Sequence, residues 1–151
     1  MRLEINVAGF DELAKILSGE NITAAAVEAV DESSALIFNR IKRNFLAQVD
    51  PEGRHWEPSY AAFRRSFGIG SDGRKRRSGG GTLFDTGTLF HSIQLFSVDP
   101  LERAIGTDVS YAPFHNFGTV NLPKREFLGF GQEDYDIALR VFLKKIESAL
   151  T

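Results

Sequence analysis

The sequence predicts an α+β fold, a small antiparallel β-sheet packed against a long helix in the N-terminal half and a second helix that closes the chain. Three observations carry the expectation. Residues 22–48 place Ile22, Val27, Val30, Leu36, Ile37, Ile41, Phe45 and Leu46 near helical spacing, with no Gly or Pro between them. Residues 132–150 repeat the pattern, and short extended runs lie at residues 2–7 and around 82–107. Segregated helices beside a few strands describe an α+β layer rather than an alternating α/β one. The 151 residues suit a single domain, and a compact domain of that size buries roughly 70% of the surface its unfolded chain exposes.

Leu3, Ile5 and Val7 alternate with Arg2, Glu4 and Asn6, the period of a half-buried strand. Asp11 is a suitable N-cap for a short helix holding Leu13, Ile16 and Leu17, which Gly19 stops. The 22–48 helix extends about 40 Å at ~1.5 Å per residue. Its basic end, Arg40-Ile41-Lys42-Arg43, suits the negative pole of the helix dipole. Asp50-Pro51-Glu52-Gly53 is turn chemistry, and a short helix around Tyr60, Phe63 and Phe67 follows Trp56. The stretch at about 68–81 is rich in Gly, almost devoid of apolar residues and strongly basic at Arg74-Lys75-Arg76-Arg77, so it reads as a mobile loop. Residues 82–96 and 103–107 read as paired strands across the turn Asp99-Pro100-Leu101-Glu102. A helical or looped patch surrounds Tyr111–Phe117, and an extended run leads to Phe130. In the closing helix Ile137, Ala138, Val141, Phe142, Ile146 and Leu150 line one side.

Composition narrows the function. The net charge of -2 gives no global reason to bind nucleic acid or a membrane surface. Without cysteine, disulfides, thiolate nucleophiles and Cys-ligated zinc are excluded. The first residues hold no apolar run long enough for a leader or a spanning helix, which predicts a chain made and assembled in the cytosol.

Three ordered segments then carry a resemblance. Leu83-Phe84-Asp85-Thr86-Gly87 continues into Leu89 and Ser92-Ile93. Ile105-Gly106-Thr107 leads into Tyr111-Ala112-Pro113-Phe114-His115-Asn116-Phe117-Gly118. Leu122-Pro123-Lys124-Arg125-Glu126-Phe127-Leu128-Gly129-Phe130 precedes the acidic start of the last helix, Glu133-Asp134. Together with Asp50–Trp56, these segments resemble the virion-morphogenesis and tail-completion family of tailed bacteriophages, over roughly residues 50–150. Phe90, where the family tends to be charged, and Glu126, in place of a usual proline, depart from its pattern.

The resemblance implies a structural, non-enzymatic subunit without cofactor, of the neck or tail-terminator type. It would form a homo-oligomeric ring, expected to be a hexamer, that joins or caps the tail at its head-proximal end. Its partners would be neighbouring neck and tail-tube proteins. Such a chain is found in the host cytoplasm during assembly and then in the virion. A head-assembly factor that leaves before maturation is the alternative. Tyr111, Phe114, His115, Phe117, Arg125, Phe127 and Phe130 are the candidate interface residues. Arg74, Lys75, Arg76 and Arg77 are candidates for touching DNA phosphates or an acidic partner face.

Three sharper chemical readings compete with the structural one. Phe84-Asp85-Thr86-Gly87 is also the tetrapeptide of retroviral-like aspartic proteases, in which paired carboxylates share one proton; the glycines before it leave little strand, which favours a structural turn. His91 and His115 lack a third ligand at metal spacing. Ser110, Asp108 and His115 lie near one another in sequence, but no nucleophile elbow surrounds any serine.

Overall fold

The computed structural model describes residues 3–7, 19–69, 72–75 and 81–150. The short helix expected after Asp11 lies outside them, as do residues 70–71 and 76–80 of the basic loop. Among the described residues the sheet has three strands, β1 (Leu3–Val7), β2 (Gln94–Asp99) and β3 (Glu102–Thr107), in the order β1-β3-β2. Both pairings are antiparallel, with Leu3 opposite Thr107 and Leu95 opposite Ile105. The β2–β3 hairpin closes over the expected turn, where Asp99 Oδ1 accepts the Leu101 amide at 2.7 Å. The central strand is buried from Ala104 to Thr107. Gly106 is required there, because a Cβ at that position would run into the Leu3 carbonyl oxygen of the neighbouring strand.

Helix α1 (Glu20–Ala47) matches the predicted long helix to within two residues at each end. It reaches ~42 Å at ~1.5 Å per residue, and this length lets it serve two cores. Its C-terminal half brings Ile37, Ile41 and Phe45 to the sheet, where they meet Ile105, Trp56, Leu89, Ile93, Phe127 and Leu128. Phe45 sits at the centre of that core, edge-on to Trp56 at 5.5 Å and to Phe127 at 5.6 Å. Its N-terminal half presents Ala25, Ala26 and Ala29 to Val141, Phe142 and Ile146 of the closing helix. Small side chains on one helix let the axis of the other come close. Ser33 joins this face without an unmet polar group, its hydroxyl donating back to the Ala29 carbonyl at 2.6 Å.

The remaining helices are α2 (Tyr60–Ser66), α3 (Thr88–Ser92), α4 (Ala112–Phe117) and α5 (Gln132–Leu150). Helix α5 has the predicted limits and runs antiparallel to α1, since its start meets Arg40 and its far half meets Ala25 and Glu28. Of the residues expected on its buried side, Leu150 is exposed.

One expectation is corrected. Residues 82–93 form a turn followed by α3, and only from Gln94 does a strand begin. Gly87, at φ +83°, occupies the left-handed region as the N-cap of α3. Its carbonyl accepts the His91 amide at 2.9 Å, and the Thr86 hydroxyl accepts the Thr88 amide at 3.3 Å. Leu89 and Ile93, four apart, both drop into the core. That is helical spacing, hidden inside a run of strand-forming residues.

Candidate interaction surface

The second and third signature segments form one unit. Helix α4 begins at Ala112-Pro113, both buried, with proline in the first turn, where its missing N–H costs nothing. Buried Asn116 then ties α4 to the segment that runs back along it. Its Oδ1 accepts the amides of Phe127 at 3.0 Å and Leu128 at 2.9 Å, and its Nδ2 donates to the Leu128 carbonyl at 3.0 Å. The His115 carbonyl accepts the Arg125 amide at 2.8 Å. From the other side Trp56 Nε1 donates to the Glu126 carbonyl at 3.0 Å, and Arg125 Nε donates to the Glu57 carbonyl at 2.8 Å. An irregular strand thereby has its backbone groups met by side chains in place of a ladder.

The expected contact residues separate into two groups. Tyr111, Phe114 and Phe117 are exposed, Phe117 at 64%, and exposed Val120 and Leu122 continue the patch. Phe127 and Arg125 are corrections: they are 2% and 4% exposed and belong to the interior. Phe127 is held there by Phe45, and Arg125 by the two carbonyl and amide bonds just described. They support the surface from beneath. Phe130 is half-buried and meets Tyr135 of α5, ring centres 6.2 Å apart.

A cavity of about 350 Å³ opens between α2, the 82–89 turn and α4; its wall includes Ala61, Leu83, Asp85, Tyr111, His115 and Arg125. His115 Nδ1 is buried there with no hydrogen-bond partner among the described residues. Burial, and then the positive charge of Arg125, hold the His115 pKa below the usual imidazole value. Both effects favour the neutral imidazole over the charged one. Asp85 also lines the cavity, at the turn that starts α3. Among the described residues no group of three His, Cys, Asp or Glu side chains is placed to hold a metal ion.

Of the basic run, Arg74 and Lys75 are exposed, and Lys75 bridges back to Ile69 just beyond α2. Arg76 and Arg77 lie outside the described residues.

Sequence reasoning missed three features. Arg40, read as a cation for the helix dipole, lies inside the fold. Its three nitrogens reach Glu133 Oε2 at 2.9 Å, Asp134 Oδ2 at 2.8 Å and the Pro51 carbonyl at 2.8 Å. Burial pushes the Asp134 carboxyl up against the pull of the Gly131 amide and Arg40. Asn116 was the second, and only its position between two aromatic residues set it apart. The third is exposed apolar surface away from the signatures: Tyr60 and Phe63 on α2 with Phe67 just after it, and Tyr135, Leu139 and Leu143 on α5. The i, i+4, i+8 spacing of the last set was the available signal.

What these features define is a small α+β domain with an apolar and aromatic surface carried on a hydrogen-bonded support. The phage virion morphogenesis family matches residues 14–147, and the chain belongs to that family. No curated protein and no solved structure matches the chain. Among the described residues no helix is long and apolar enough to cross a membrane.

Proposed function

We propose that the chain is a permanent structural subunit of the phage particle, of the neck or tail-completion type, working as a homo-oligomeric ring at the head-proximal end of the tail. A hexamer matches the symmetry of the tail it would cap. The observation that carries the reading is the exposed set Tyr111, Phe114 and Phe117 on a family signature segment, with exposed Val120 just beyond it. Monomeric soluble proteins seldom leave so many large apolar side chains together in water, and a contiguous patch of this kind marks an interface. Work by shape fits the support beneath it, since Asn116 and Arg125 fix the backbone of the patch. Arg74 and Lys75 offer a cationic edge to an acidic neighbour or to passing DNA, where bound charge is salt-dependent and sequence-independent.

Mass spectrometry of purified particles tests the reading. Retention of the chain at a copy number matching one ring, with electron micrographs placing that ring at the tail's upper end, is the expected result. Particles that mature without the chain assign it instead to transient head assembly.

A further inference from the structure

We infer that the chain between Ser59 and Thr82 is a self-contained binding unit for the surface of an anionic lipid bilayer. The rings of Tyr60, Phe63 and Phe67 enter the headgroup layer, and the cations beside them meet lipid phosphate.

The unit leaves and rejoins the domain at one point. The Ser59 amide donates to Thr82 Oγ1 at 3.3 Å, and the Thr82 amide donates to Gln48 Oε1, just past the end of α1, at 2.6 Å. Thr82 is buried, and a Cβ at Gly81 would run into the Gln48 side-chain amide, so the returning chain passes too close for a larger residue. Among the described residues of 60–75, none belongs to either hydrophobic core. An excursion closed at its base that leaves the core untouched is free to carry function.

Its composition differs from the rest of the chain. Residues 59–78 hold six Lys and Arg against one Asp, whereas the whole chain has 18 basic and 20 acidic residues. Positive charge is thus segregated onto this excursion. Tyr60, Phe63 and Phe67 are each more than half exposed. Spaced three and four apart, they share one side of α2 and of the turn that extends it. Tyr60 packs on Phe63 with ring centres 6.4 Å apart, and Phe63 on Phe67 at 5.1 Å, which makes a continuous apolar ridge. Just beyond the ridge, Lys75 bridges back to Ile69. Gly73 at φ +78° and Asp72 Oδ1, which accepts the Arg74 amide at 3.0 Å, fix that reversal. Exposed Arg74 and Lys75 are thereby brought back to the end of the aromatic helix.

These cations were offered above to an acidic neighbour or to passing DNA, and the ridge beside them narrows the choice. Duplex DNA presents phosphate but no apolar layer for three aromatic rings to enter. An acidic protein face would need a groove cut to the ridge. An anionic bilayer presents both requirements at once and without a particular shape, negative charge at its surface and hydrocarbon just beneath. Aromatic rings flanked by Arg and Lys settle at that boundary.

Flotation of the full chain with vesicles tests this, using phosphatidylcholine alone and phosphatidylcholine mixed with phosphatidylglycerol. The chain is expected to float with the mixed vesicles only, and to come off as salt is raised. Phe63→Ser with Phe67→Ser removes the ridge, and Arg74→Glu with Lys75→Glu reverses the cations. All four positions lie outside the cores, so circular dichroism is expected to show both variants folded. Each variant is expected to bind the mixed vesicles more weakly by about tenfold or more. A wild-type chain that floats with neither vesicle, or equally with both, overturns the inference. So does a ridge variant that binds as well as the wild type, for the cations then meet phosphate alone, and competition by duplex DNA assigns them to DNA instead. The ring reading rests on α4 and is untouched by each of these outcomes.

Discussion

The α1–α5 pair and the α4 unit with its returning strand are held by different physics. The helix pair rests on area: alanines on α1 let Val141, Phe142 and Ile146 approach, and the exposed ion pairs of Lys145 with Glu28 and Glu32 at its edge add little. The α4 unit rests on a few buried polar side chains, with Asn116 and Trp56 each answering backbone groups that lack a ladder. Area is spread over many residues, so the first region is tolerant. Directional bonds concentrated on one amide leave the second intolerant, and it is the second that bears the proposed contact surface.

The largest test of this contrast is Asn116→Ala. It removes three bonds at once and leaves two buried amides and a carbonyl unmet, so a loss of about 3–5 kcal/mol is expected in urea unfolding, at ~1–3 kcal/mol for each unmet group after partial relaxation. A loss below about 1 kcal/mol sinks the idea that the clamp is concentrated there. Ala29→Leu probes the other region. Overpacking the alanine face between α1 and α5, where Ala29 is fully buried, is expected to cost about 1–3 kcal/mol while leaving the near-ultraviolet signal of Trp56 in place. The smallest effect is one of pH. The His115 pKa is lowered by burial and Arg125, so below the ordinary imidazole pKa of about 6.5 the unfolded chain binds a proton that the folded chain refuses. Stability should therefore rise with pH through the window below that value and level off above it. In His115→Gln the stability curve should be flatter across this window; an unchanged slope assigns the dependence to other groups.

The same contrast explains how much was legible in advance. Helices α1 and α5, strands β1 and β3 and the turn at Asp99 are written in apolar periodicity and turn residues, and they lie where the sequence places them. Residues 82–93 were misread because their β-forming composition outweighed the i, i+4 pair Leu89 and Ile93, which only the left-handed Gly87 turn brings into a helix. Phe127 and Arg125 were expected at the surface because an extended aromatic and basic run looks the same whether it faces water or a core. What decides between the two is the length of α1, which carries Phe45 beneath that run. No local pattern records a partner so distant in sequence. The roles of Asn116 and Arg40 were invisible for the same reason.

The Arg40 junction also has a bearing on how the chain comes to be folded. Its carboxylate partners are 93 and 94 residues further along, and the buried residues that cover the alanine face of α1 are Val141, Phe142 and Ile146. Residues as far along as Ile146 must leave the ribosome before that face can be covered. Contacts this remote slow folding, because a long loop must close before they form. Until then a helix with an unsatisfied apolar side is available to whatever meets it first. If the proposed assembly of copies holds, the timing with which α5 becomes available to cover α1 becomes part of the control of assembly.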